Sequence, residues 1–178
     1  MQDETCNLSW VVNASGAIGV SRKIGVLFQS NNTGVIQNTT RNATVNIVGC
    51  TTDFTLNWNS IDFGLLNPSS AGNAAPGNNA GYNITTNPGS CDLDFYIKGT
   101  NLTNSTLNYI IEVGNLSWSN STNDYASSFR LASINTAIKM DVADTNVTTR
   151  YWLDIPPVLA SLYNGSISIT GVRHGNSP

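Results

Sequence analysis

The sequence offers few side chains that could carry out acid–base or nucleophilic catalysis. Asp92 and Asp94 lie two residues apart in an alternating stretch, so both face the side that also carries Lys98. Paired catalytic carboxylates need two different environments, whereas this face is predicted to be a solvated surface that discourages edge-to-edge aggregation. His174, the one histidine, has no nucleophile motif near it and is expected to be exposed. We therefore expect no catalytic residue, no cofactor and no enzymatic activity.

A metal site is also not expected. Asp141, Asp144 and Asn146 carry oxygen atoms that could surround a calcium ion, but they lack the twelve-residue pattern of an EF-hand loop. A single histidine and the absence of a C-x-x-C spacing argue against zinc. The segment 141–146 is therefore predicted to be an ordinary loop.

Asparagine is the residue type whose spacing points to chemistry. The acceptor pattern for N-glycosylation, Asn-x-Ser/Thr with x other than Pro, occurs twelve times, whereas the composition alone would produce roughly five matches. Such sites are modified only where a surface meets a glycosylation machinery outside the cytoplasm, so we predict an extracellular glycoprotein carrying covalent N-glycans. The predicted acceptors are Asn7, Asn13, Asn31, Asn38, Asn42, Asn83, Asn101, Asn104, Asn115, Asn120, Asn146 and Asn164.

The three cysteines fit an oxidising compartment, in which two of them would pair. Cys50 ends one strand-like run and Cys91 opens another, so a Cys50–Cys91 disulfide is the first expectation. A Cys6–Cys50 bond is nearly as plausible from the sequence. An odd cysteine in a secreted chain suggests a bond to another chain, which in the first pairing leaves Cys6 unpaired or intermolecular.

Charge and hydropathy exclude other classes of protein. The net charge of −3 with eight Lys and Arg residues gives no electrostatic footprint for nucleic acid. No apolar run approaches the 18 residues of a transmembrane helix, so no membrane span is expected. Residues 1–4 lack the basic and apolar regions of a signal peptide. Secretion is therefore expected to depend on a signal peptide that this chain does not include.

Apolar and polar residues alternate with a period of two through most of the chain, most clearly in residues 91–98. Short strands separated by turn residues predict an all-β fold, an antiparallel Greek-key or jelly-roll-like β-sandwich with an N-terminal tail strand. Residues 67–79, which are small, polar and uncharged, are predicted to form a long surface loop. Strands are predicted around residues 24–28, 45–47, 54–58, 91–97, 108–113, 128–131, 137–142, 147–153 and 166–172.

The N-terminal strand is the candidate for assembly. Leu8, Trp10 and Val12 form one apolar face that could fill a groove. This strand either is the first strand of its own sandwich or leaves its domain and completes the sheet of a neighbour, as in donor-strand addition. In the second case the chain divides into a tail, residues 1–14, and a β-sandwich head domain, residues 15–178. A head-to-tail contact of this kind does not close and propagates a filament.

The apolar tail strand, the dense sequons and the pattern YWLDIPP (151–157) followed by YNGSISI (163–169) resemble archaeal cell-surface β-domains. They look most like the glycosylated thread-type filament subunits of thermoacidophilic archaea. The resemblance implies a non-enzymatic, extracellular homopolymer built by donor-strand complementation, a missing strand in each head domain and a cleaved signal peptide. The expected roles are adhesion to cells or surfaces and biofilm cohesion.

Two other functions are compatible with the sequence. The chain could be a monomeric cell-surface or viral adhesin, a lectin-like module with its binding site in residues 67–79 or near 141–146. It could also be an S-layer-associated envelope protein. Since only 11% of the residues are charged, unfolding is expected to depend little on pH between 2 and 6.

Overall fold

Antiparallel β-strands make up the regular structure of the chain, as the period-two alternation predicts. The computed structural model describes residues 20–28, 38–39, 41–47, 49–138 and 145–178. Every pair of named strands within these ranges is antiparallel, and the only helical segments in them are short 3-10 turns. The prediction of an all-β fold is confirmed, while the Greek-key or jelly-roll connectivity stays a prediction.

The chain divides into two compact units, Met1–Cys50 and Thr51–Pro178. The described residues of the first unit form four short strands: β1 (Ser21–Ile24), β2 (Leu27–Phe28), β3 (Asn38–Thr39) and β4 (Ala43–Asn46). In this unit β1 pairs with β4, and β2 pairs with β3. The predicted tail strand and the predicted boundary between residues 14 and 15 lie outside the described residues, so both stay predictions.

The second unit is an antiparallel β-sandwich. Its larger sheet has the strand order β12-β11-β14-β7-β5, with β6 also paired to β14, and its smaller sheet has the order β13-β8-β15. A separate hairpin joins β9 and β10. The described strands of this unit are β5 (Phe54–Leu56), β6 (Ser70–Ala74), β7 (Tyr82–Thr86), β8 (Leu93–Gly99), β9 (Leu102–Asn104), β10 (Tyr109–Ile111), β11 (Leu116–Ser119), β12 (Phe129–Arg130), β13 (Thr136–Ile138), β14 (Asn146–Ile155) and β15 (Ile167–Arg173).

The core of the second unit lies between these two sheets. Phe95 and Ile97 of β8 are fully buried, and so are Ile84 of β7 and Tyr151 of β14. Along β8 the buried residues alternate with half-buried ones, as the sequence predicts. Phe54 of β5 packs edge-on against Phe95, with ring centroids 5.1 Å apart, and this contact joins the two sheets.

The predicted surface loop over residues 67–79 is wrong. Ser70–Ala74 forms β6, which pairs with β14, and Pro76–Asn79 forms a 3-10 turn. Asn78 is buried, and its side chain receives a hydrogen bond from Tyr151 N and donates one to Tyr151 O, both at 2.8 Å. This amide completes the ladder of β14 where the strand pairing ends. The segment lies against the sheet because its small side chains permit close approach and its amide supplies main-chain partners.

Candidate functional site

Among the strands that the structure describes, β15 lies at one edge of the smaller sheet. On its other side β15 pairs with β8 along its whole length. Thr100 N donates to Ser166 O, and His174 N donates to Asp92 O, so the even-numbered residues of β15 direct their main-chain groups toward β8 and the odd-numbered residues direct theirs away. Within the described part of the chain, the outward N–H and C=O groups of residues 167–171 have no strand partner.

The apolar side chains at this edge are partly exposed, while the core behind them is buried. Ile167 and Ile169 of β15 are half-buried against the core, and across from them lie the half-buried Phe54 and Leu56 of β5, the last strand of the larger sheet. A Cβ atom on Gly171 would lie 3.0 Å from the Phe54 ring. The β15 edge of the smaller sheet and the β5 edge of the larger sheet are therefore on the same side of the sandwich. We call residues 167–171 together with β5 the strand-acceptor edge.

The residues predicted to fill such an edge are Leu8, Trp10 and Val12. All three lie outside the described residues, and so does Cys6. Their predicted role therefore stays a prediction, and what the fold contributes is the geometry of a possible acceptor.

The predicted glycosylation sites differ widely in exposure. Asn7, Asn13 and Asn31 lie outside the described residues, and for Asn38 only the main chain is described. Exposed acceptors are Asn42, Asn146 and Asn164; half-buried ones are Asn83, Asn101, Asn115 and Asn120.

Asn104 is the one described acceptor that is buried, with 5% of its surface exposed. Its amide nitrogen donates to Ser161 Oγ at 2.5 Å and to the carbonyl of Leu162 at 2.9 Å. Its amide oxygen accepts from the main-chain N–H groups of Thr106 and Leu107. All four hydrogen-bonding positions of this amide are therefore occupied, and a glycan on the nitrogen would displace at least one of them.

Cys50 and Cys91 form a disulfide bond, which confirms the first of the two predicted pairings. The bond closes a loop of about forty residues. A disulfide that closes a loop of this length stabilises a fold by about 4 kcal/mol in the chain-entropy account. Its presence agrees with the prediction of an oxidising compartment.

The predicted solvated face of β8 holds a contact between a carboxylate and an imidazole. Asp94 lies 2.8 Å from Nδ1 of His174, which is half-exposed as predicted. A hydrogen bond from Gly175 N, followed by the interaction with His174, holds the pKa of Asp94 below its usual value. These contacts fasten the end of β15 to β8, and they give His174 a partner that the sequence did not predict.

A second cluster, formed by Asp154, Tyr125 and Arg130, was not predicted. The carboxylate of Asp154 accepts hydrogen bonds from Gly72 N, the Tyr125 hydroxyl and the Arg130 guanidinium. Burial opposes ionisation of Asp154, but these three donors together outweigh it and lower its pKa. The hydrogen bond to Asp154 raises the pKa of Tyr125. The partners are 24 to 82 residues apart in the sequence, so no local pattern could have revealed the cluster.

Other kinds of site are not found in the part of the chain that the structure describes. No group of three or more His, Cys, Asp or Glu side chains there could hold a metal ion. No helix in these ranges has the length and hydropathy needed to cross a membrane. Asn146 begins β14, while Asp141 and Asp144 lie outside the described residues.

The fold and its edge define an all-β protein with a disulfide-bonded antiparallel sandwich. Comparisons of the chain with protein-family models, with curated proteins and with solved structures each return no match. The function must therefore be argued from the chain's own residues.

Proposed function

We propose that this chain is a structural subunit of an extracellular, N-glycosylated cell-surface filament of the pilus or thread kind. Each subunit inserts its N-terminal strand into the strand-acceptor edge of the next subunit, so that the polymer grows head-to-tail. The source is an archaeal cell surface, and the filament serves adhesion or biofilm cohesion. The partners are further copies of the chain, its N-glycans, and the cells or surfaces to which it adheres.

The observation that carries this proposal is that β15 has no strand partner on its outer side within the described residues and bears partly exposed apolar side chains. Residues 167–171 direct three sets of main-chain groups outward, while Ile167 and Ile169 are half-buried. Residues 8–12 are also five residues long, and an extended strand of that length spans about 17 Å. Leu8, Trp10 and Val12 would face the core, and the main chain of the same strand would satisfy the outward groups.

The physical gain from this insertion is large enough to hold a filament. Burial of each apolar side chain contributes about 1.5–3 kcal/mol, and the strand ladder adds further hydrogen bonds. Subunits joined in this way separate only when a strand is withdrawn, which makes dissociation slow. A cysteine at position 6, next to the inserted strand, could then form a bond to the neighbouring chain.

Electron microscopy of the full chain tests the proposal directly, with two triple variants compared to the wild type. In the first, Leu8→Ala, Trp10→Ala and Val12→Ala are combined, which removes the apolar face and should abolish filaments. The matched variant, Asn7→Ala with Ser9→Ala and Val11→Ala, changes the other face of the same strand and should leave filaments intact.

The tail peptide supplies a complementary measurement. A synthetic peptide of residues 5–14 should bind the non-assembling variant and slow hydrogen exchange in β15. Normal filaments from the first triple variant would overturn the proposal. So would a wild-type monomer whose residues 8–12 pair within their own sandwich, an outcome that favours a monomeric adhesin.

A further inference from the structure

An open depression of mixed polar and apolar lining lies where β8 ends and β15 begins, beside Val113. Lys98 and Ser168 face each other across β8 and β15 at its floor. Thr100, Glu112 and Ser133 are among its other polar lining residues. The depression has a volume of about 940 Å³ and is open to solvent. None of its described lining residues is aromatic, so these residues offer no stacking surface of the kind on which protein sites commonly bind free sugars.

Asn164 lies beside this depression together with two predicted glycan acceptors about sixty residues earlier in the sequence, Asn101 and Asn104. Thr103 exchanges two main-chain hydrogen bonds with Asn164, at 2.8 and 3.0 Å. This bridge brings Asn164 next to the segment that contains Asn101 and Asn104. Gly165 fits closely there, since a Cβ atom on it would lie 3.0 Å from the carbonyl oxygen of Asn101. Both Asn101 and Asn164 line the depression.

Asn164 is the most exposed of these three amides and Asn104 the most buried. The buried amide of Asn104 uses all its hydrogen-bonding positions, as described above. Asn101 is half-buried, and its amide oxygen accepts a hydrogen bond from Val113 N at 2.8 Å. Asn164 is exposed, and its side chain makes no hydrogen bond to the part of the chain that the structure describes.

We propose that the depression is a binding site for the chain's own N-linked oligosaccharide, attached at Asn164 and not at Asn101 or Asn104. This inference rests on the proposed function to the extent that the chain must be glycosylated. The hydroxyl groups of the first sugars exchange hydrogen bonds with Lys98, Glu112, Thr100 and Ser168. The glycan thereby covers one end of the sheet whose edge accepts the strand.

Tethering explains why such an open site can hold a sugar. A free sugar would bind weakly because the depression is wide and offers no aromatic face. A short covalent link raises the effective concentration of the sugar to the millimolar range. If the first sugars bound the depression with a dissociation constant of about 0.1–1 mM, this tethered concentration would slow local opening of the surrounding main chain by about two- to tenfold.

The test uses full-length protein from a host that adds N-glycans, with occupancy mapped at each site by mass spectrometry. Asn164 should carry a glycan, and Asn101 and Asn104 should not. The variant Asn164→Gln should accelerate amide exchange in residues 98–103 and 166–168 by about two- to tenfold. The matched variant Asn146→Gln removes another exposed acceptor, which does not line the depression, and should leave that exchange unchanged.

A second comparison isolates the glycan from the substitution. In protein made without glycosylation, Asn164→Gln should exchange like the wild type in the same residues. In glycosylated protein, Lys98→Ala with Glu112→Ala should reproduce the acceleration while Asn164 stays occupied.

The outcomes separate this inference from the proposed function. Glycans on Asn101 or Asn104 with Asn164 empty would overturn the inference alone. An occupied Asn164 whose removal leaves exchange unchanged would do the same. A chain without any N-glycan would overturn both this inference and the glycoprotein part of the proposed function, while filament formation would still be tested by the tail variants.

Discussion

Asparagines that match the pattern Asn-x-Ser/Thr have two different structural environments in this chain. Asn164 and Asn104 both match the acceptor pattern, but Asn164 lies on the surface and Asn104 in the interior. The pattern specifies what an enzyme can recognise, whereas the surrounding fold determines whether the amide is free. Asn104 therefore belongs to the hydrogen-bonded structure that holds the β9–β10 hairpin to the 161–162 segment.

Replacement of Asn104 tests this structural role. In unglycosylated protein, Asn104→Ala should lower the free energy of unfolding by about 2–3 kcal/mol, because a buried network of four hydrogen bonds loses its centre. Asn146→Ala, at an exposed acceptor, is the control and should change stability by less than about 0.5 kcal/mol. Urea unfolding followed by tryptophan fluorescence measures both. Equal stability of Asn104→Ala and the wild type would refute the assignment.

At the scale of elements, the alternation in the sequence predicted the strands that bury one face. Residues 91–97, 147–153 and 166–172 correspond to β8, β14 and β15. β6 could not be predicted because its sequence, SAGNA, has no alternation. It pairs with β14 because Gly72 adopts a positive φ of 65° and lies under the Tyr125 ring, where a Cβ would come within 3.0 Å.

The strand-acceptor edge illustrates the same limit of sequence information. The sequence indicated a strand that could be donated, but not where it would be received. The order of strands depends on pairings between residues about 70 apart, such as Ile169 with Ile97. No periodicity reports which strand ends a sheet, so the edge position of β15 among the described strands became visible only in the fold.

The edge can be blocked at one main-chain group. Ile169→Pro removes an N–H that points away from β8, so the ladder within the subunit stays intact while the incoming strand loses a hydrogen-bond donor. The expected result is a folded subunit that forms at least tenfold fewer filaments, since the loss of a buried hydrogen bond costs more than about 1.4 kcal/mol. Sedimentation and electron microscopy measure the polymer.

Ile169→Ala is the matched control for that variant. It removes a similar part of the half-buried side chain but keeps the main-chain N–H, so it should still polymerise. If both variants assemble as the wild type does, β15 is not the edge that accepts a strand. Circular dichroism of both variants establishes that the subunit remains folded.

At the scale of the whole molecule, acid is expected to change the stability of the fold through a small number of carboxylates. Few groups of the chain titrate between pH 2 and 6, since Asp and Glu together number 11 in 178 residues. For most of these carboxylates, the weak pH dependence of unfolding that the composition predicts stays a prediction. Asp94 and Asp154 are the exceptions, because hydrogen bonds hold the pKa of each below its usual value.

A carboxylate with a lowered pKa stabilises the fold only while it is ionised. The stabilisation is complete above the pKa of the unfolded chain, about 3.9 for aspartate, and is lost as the pH falls through the lower pKa of the folded state. Asp154 should contribute more than Asp94, since its side chain is 14% exposed against 28% for Asp94. Acid should therefore weaken the second unit below about pH 4 through the cluster of Asp154, Tyr125 and Arg130.

Asp154→Asn measures that contribution. At pH 7 the free energy of unfolding of the variant should be about 1.5–3 kcal/mol lower than that of the wild type, because the variant loses charged hydrogen bonds to Tyr125 and Arg130. At a pH below the lowered pKa of Asp154 the difference should shrink, since the wild-type carboxylate is then protonated as well. Asp92→Asn, whose carboxylate is exposed and makes no hydrogen bond to the described part of the chain, is the control with little effect at either pH. Urea unfolding at both pH values decides the matter, and a difference that stays constant with pH would refute the role of Asp154.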